Sequence, residues 1–184
     1  MLQTLKTAAL AAVLLGSAAS AGLAANPMVG GAAMFETRNI VENAVNSKDH
    51  TTLVAAVQAA GLVDTLAGPG PFTVFAPTNA AFADLPDGTV DTLLMPENKG
   101  MLTGVLTYHV VAGRLTAEDL AARIAAGDGV YIFETVNGTK ISAQMRGDTI
   151  YIGDKSGNNA TITISDVNQS NGVIHVLDRV LLPM

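Results

Sequence analysis

The chain changes its hydrophobic period at Val130, which divides it into a largely helical first part and a stranded second part. Over residues 39–47, Ile40, Val41, Ala44 and Val45 fall on one helical face. A second helix opens at Thr51 and Thr52, turns Leu53, Val54, Val57 and Ala60 inward, and stops before Gly61, a residue suited to the position just past a helix end. Residues 62–66 form a further short turn before the break Gly68-Pro69-Gly70-Pro71. Small helices are predicted around 79–84 and 89–94. A longer one follows over 96–107, with Met101, Leu102, Val105 and Leu106 apolar and Pro96 in its first turn. Residues 108–111 read as a short strand. Thr116 suits the N-cap of a helix over 117–126, with Asp119 favourable near its start and Gly127 ending it.

From Val130 onward apolar and polar positions alternate, which predicts strands over 130–136, 139–145, 149–153, 160–166 and 173–182. Asn137-Gly138 and Gly147-Asp148 are hairpin turns, and 154–159 and 168–172 are the remaining loops. Two segments depart from simple alternation. In the first, Phe72, Val74 and Ala76 alternate with Thr73 and Phe75, and Pro77 then ends the ladder for want of an N–H. Thr78 follows as N-cap of a short helix beginning at Asn79. In the second, Gly172 precedes a run apolar on both faces: Ile174, Val176, Val180 and Leu182 on one, Val173, Leu177 and Leu181 on the other. Asp178 interrupts the first face, and His175 and Arg179 the second, before Pro183. A strand apolar on both faces belongs at the centre of a doubly covered sheet.

The 184 residues, 49% hydrophobic and 14% charged, fit one globular domain. Lys6, the apolar run 7–15 and the small residues 16–22 have the layout of a cleaved export leader, predicted to span 1–25. Cleavage would leave no transmembrane segment. With no cysteine, neither a disulfide framework nor a lipid-modified cysteine is available. Residues 26–36 read as a flexible lead-in. The formal charge of −6 becomes −7 on loss of Lys6, and the remaining basic residues are scattered. That distribution, with no tryptophan for stacking, argues against nucleic acid as a partner.

Catalytic chemistry finds little support. The three histidines, His50, His109 and His175, lack metal-ligand spacing and are expected to be satisfied core residues. His109 and His175 fall in predicted strands, which leaves open that they meet in space. No activated nucleophile or phosphate loop is present, and no metal or cofactor is predicted. Arg146-Gly147-Asp148 places a cation and a carboxylate at a hairpin tip, although Gly-Asp is also ordinary turn chemistry.

The segments from Phe72 and to Pro183 resemble the two signature segments of the fasciclin-like domain family, and Tyr108-His109 resembles its central Tyr-His motif. The resemblance runs from about residue 37 to 183. It implies an α+β fold with a helical N-terminal half packed on a β-sandwich-like wedge of short strands, residues 37–184 forming the domain. It also implies a secreted, non-enzymatic protein of adhesion or extracellular-matrix type, periplasmic or extracellular, whose partner is a cell-surface or matrix macromolecule. Candidate binding positions are Tyr108, His109, Arg146, Gly147 and Asp148. The alternative is a soluble carrier of an apolar, carotenoid-like ligand, as some relatives are similar in binding carotenoids, with Met95, Met101, Leu102 and Leu106 lining a groove.

Overall fold

A computed structural model describes residues 26–183; the predicted leader over 1–25 lies outside the described residues. Among the described residues, six α-helices precede Val110: α1 (Ile40–Ala44), α2 (Thr51–Ala60), α3 (Val63–Ala67), α4 (Asn79–Ala83), α5 (Thr89–Leu94) and α6 (Lys99–Tyr108). A seventh, α7 (Ala117–Ala126), opens on the reciprocal Thr116/Asp119 cap that its sequence announces. Strands β1 (Met28–Val29) and β2 (Ala32–Ala33) form a small hairpin. The main sheet comprises β3 (Phe72–Pro77), β4 (Val110–Ala112), β5 (Val130–Glu134), β6 (Lys140–Arg146), β7 (Thr149–Gly153), β8 (Asn159–Gln169) and β9 (Gly172–Leu177).

Its seven strands run in the order β4-β3-β9-β8-β7-β6-β5, antiparallel except for the parallel pair β3/β9. The Val136 N–H donates to the Val110 carbonyl at 2.8 Å, so the end of β5 returns to β4 and one sheet curls nearly closed. The α+β layout is as the sequence implies, with the stranded wedge made from a single curled sheet.

Strands β3 and β9 divide the hydrophobic interior in two. Val74 and Ala76 of β3, and Ile174 and Val176 of β9, face a core built with α1, α2 and α6. Phe75 and Leu177 face a second core inside the curled sheet, plugged by Leu120 and Ile124 of α7. All six residues of β9 are buried, as a strand apolar on both faces requires.

Four local departures have physical reasons. The lead-in is folded: Val29 and Met34 are buried in the first core. Asn43 fixes it by accepting from the Phe35 N–H at 3.0 Å, donating to the Phe35 carbonyl at 2.8 Å, and donating to Gln169 Oε1. Tyr108 belongs to α6, not to a strand. β8 continues through bulges to Gln169, which shrinks the predicted 168–172 loop to a turn at Ser170 and Asn171. Finally, β9 ends at Leu177, because beyond it the backbone finds side-chain partners: Leu181 N–H meets His109 Nε2 and Leu182 N–H meets Asp154 Oδ2.

Replacing Asn43 with Ala strands the Phe35 backbone and the Gln169 side chain. We expect a loss of about 1–3 kcal/mol, read as a lower urea midpoint at unchanged denaturant slope.

Candidate functional site

The three signature segments meet at His109, which caps the C-terminal end of α6. Its Nδ1–H donates to the Val105 carbonyl at 2.8 Å, and its Nε2 accepts from the Leu181 N–H at 2.9 Å. Because Leu181 can only donate, Nε2 must be bare and the ring neutral. Burial pushes the His109 pKa down to about 4, opposed by the Val105 hydrogen bond and the Asp154 carboxylate. The His109 carbonyl also accepts from the Phe75 N–H at 2.8 Å. Tyr108 beside it is fully buried, its hydroxyl accepting from the Lys155 N–H at 3.0 Å, and burial raises its pKa. Neither Tyr108 nor His109 presents its side chain at the surface.

His175 is likewise satisfied. Its Nε2–H donates to the Leu115 carbonyl at 2.7 Å, its Nδ1 faces the Asp166 N–H at 3.4 Å, and its ring stacks on Phe75. Desolvation lowers its pKa. His109 and His175 have separate partners, and no group of three His, Cys, Asp or Glu among the described residues is placed to hold a metal.

The remaining signature residues are scaffold with specific tasks. Thr73 donates to the Gly113 carbonyl at 2.7 Å and accepts from the Leu115 N–H at 2.9 Å. Phe72 and Thr78 donate toward β9, at Asn171 and Leu177, whereas Phe75 donates to the other side. By that alternation Pro77 faces the side where β4 has already given way to α6, and its missing N–H leaves no ladder bond unmade. Thr78 caps α4 as expected, accepting from the Ala81 N–H. Asn79 accepts from Thr51 Oγ1–H and the Thr52 N–H and donates to the Lys48 carbonyl, so α2 receives its cap from a distant residue. Gly172 is required because a Cβ there would lie 2.1 Å from the Phe72 carbonyl oxygen. Asp178 accepts from the Thr161 N–H at 2.6 Å, pinning the end of β9 to β8, and half-buried Leu182 and Pro183 follow.

Arg146, Gly147 and Asp148 are exposed at the β6–β7 tip. Gly147 takes a positive φ of 60° at the first central position of the two-residue turn. The Arg146 guanidinium lies 5.3 Å from the centre of the Tyr151 ring, so the cation is laid back along the sheet and not splayed from the tip.

The carrier groove sketched from sequence does not form as drawn: Met95 and Met101 are exposed and Leu102 is in the first core. An apolar cavity of about 60 Å³ lies elsewhere, between α1, α2, α3 and β3, with Leu106 among its lining residues. His50 lines it too and departs from the expectation for the histidines, since its buried Nε2 has no hydrogen-bond partner. Nothing in the local sequence around His50 signals this, because the cavity walls come from elements spread along the chain from β1 to β9.

A family model described as Fasciclin domain matches residues 48–183. The chain belongs to the fasciclin domain family. Among its fasciclin relatives, protein sll1483 of Synechocystis is 46% identical over 160 residues, covering 85% of this chain and 79% of that one. The immunogenic protein MPB70 of Mycobacterium bovis is 36% identical over 145 residues, covering 76% of this chain and 66% of that protein. The cell surface glycolipoprotein MPB83 of the same species is 33% identical over 168 residues, covering 91% of this chain and 66% of that protein. In three dimensions the chain is similar to the FAS1 domain pair of the insect cell adhesion molecule fasciclin I, with a TM-score of 0.69 at 20% identity. That match covers 79% of this chain, which spans about half of the solved pair (51%).

The buried histidines make stability pH-dependent in one direction. The folded His109 pKa of about 4 lies below the ordinary 6.5, so its contribution is present above pH 6.5 and is lost as pH falls toward 4. His50 and His175, also lowered, add in the same sense. Denaturation midpoints measured across this window should fall, with His109 accounting for on the order of 3 kcal/mol. His109→Ala should be less stable at pH 7 and show a flatter profile.

Proposed function

We propose that this is an exported, non-enzymatic fasciclin protein that attaches to a cell-surface or matrix macromolecule. The observation that carries the reading is the exposed β6–β7 tip, where Arg146 and Asp148 flank a glycine turn, while the Tyr108-His109 pair is buried. The cell-surface designation of one mycobacterial relative and the adhesion role named for the insect structure support it. The scattered basic residues favour a protein or polysaccharide partner over a polyanion. No helix among the described residues is long and apolar enough to cross a membrane.

Beads coated with the exported chain should retain cells of the producing organism well above beads coated with an inert acidic protein of similar size. The double variant R146A/D148A should lose most of that excess while its stability changes by no more than about 0.5 kcal/mol, as expected for exposed positions. Retention equal to the control would overturn attachment. Full retention by the double variant would move the contact away from the tip.

A further inference from the structure

A buried ring nitrogen without a partner is a standing penalty unless something fills the space it faces. His50 carries such an atom. Its residue is 3% exposed, its Nδ1 is 2.9 Å from Ser47 Oγ, and its Nε2 is unpartnered. The Ala76 carbonyl lies near enough to favour the charged ring but outside hydrogen-bonding geometry. Among the described residues the Ser47 hydroxyl has no second partner. If it donates to Nδ1, one group is left over, the Nε2–H. The opposite tautomer strands two, the Ser47 hydroxyl proton and the Nε2 lone pair. The first arrangement therefore holds, and a hydrogen-bond donor faces the cavity between α1, α2, α3 and β3.

That cavity, about 60 Å³, is several times the ~10–15 Å³ that one water needs on this measure. Its walls near His50 are hydrocarbon, including Leu53, Val57, Leu66, Val74 and Ile174. A buried water typically makes about three hydrogen bonds, and beside the Ser47-His50 pair the polar side chains of the lining are Gln58, which is exposed at the mouth, and His109, whose ring nitrogens are both already bonded. Toward solvent, Val41, Ala44, Val54 and Leu62 are half-buried and form an apolar mouth. We propose that the cavity is a binding site for the end of a hydrocarbon molecule bearing a single carbonyl or hydroxyl oxygen, which accepts from His50 Nε2–H while the remaining chain lies along the α1–α2 mouth. The site is remote in sequence from the Arg146–Asp148 tip and does not depend on the attachment reading.

The test uses the full chain with two probes of matched length, methyl octyl ketone and decane. The ketone should raise the thermal midpoint in a concentration-dependent way, shift the His50 ring nitrogen resonances, and bind about tenfold tighter than decane, the worth of one hydrogen bond. His50→Phe, which keeps a ring and removes the donor, should abolish that ratio. Val54→Trp, at a half-buried mouth position, should block both probes while keeping the parent's circular dichroism. Equal binding of the two probes, ketone binding that leaves the His50 ring unmoved, binding that survives Val54→Trp, or no binding of either probe would each overturn the proposal. Should His50→Phe fail to fold, the probe ratio and the ring resonances of the parent chain still decide.

Discussion

The fold depends on one buried imidazole at the end of α6. Three of its hydrogen bonds reach Val105 in its own helix, Leu181 in the C-terminal segment and, through its backbone carbonyl, Phe75 in the central strand. Each partner belongs to a stretch that could otherwise drift. The helix end has unsatisfied carbonyls, the C-terminal segment has left the sheet, and β3 has run past the end of β4. A hydrophobic side chain of similar volume would fill the same space and leave the Leu181 amide buried without an acceptor. The family resemblance at Tyr108-His109 therefore marks a joint, with the polar atoms spent inside the molecule and not offered outside it.

Much of this architecture was legible in the chain. The change from helical to alternating period located both parts, Thr78 and Thr116 announced their helices, and the two-faced apolar run placed β9 at the centre of the sheet. What escaped was whatever depends on partners far apart in sequence. Nothing around Thr51 shows that its helix is capped by Asn79. Nor does Asn171, in what reads as a loop, reveal that its side chain holds Ile40, Leu66 and Gly68 together. The strand predicted through Leu182 was correct in its apolar pattern and wrong in its extent. Val180 and Leu181 still enter the first and second cores as the alternation implies, but the Leu181 and Leu182 amides have turned to side-chain acceptors.

The candidate sites divide along the same line. Surface chemistry at Arg146–Asp148 was visible because a hairpin tip is a local feature, although the stacking of Arg146 over Tyr151 was not. The histidines could be counted but not sorted. His109 and His175 use both ring nitrogens, whereas His50 uses one and leaves the other without a hydrogen-bond partner in the cavity wall. Sequence spacing carries no record of that distinction, since the walls facing His50 converge only in the folded molecule.

The parallel pairing of β3 with β9 has a consequence for how the molecule is made. Phe72 lies against Gly172 so closely that a methyl group cannot fit between them, and the two strands are the first and last of the main sheet along the chain. While the chain emerges, β3 has no parallel neighbour, and the surface that will divide the two cores is open on one side. Contacts of such long sequence separation form late and slowly. A chain whose final residues have not yet arrived would therefore lack its central ladder, and would lock only once its C-terminal end had joined the sheet.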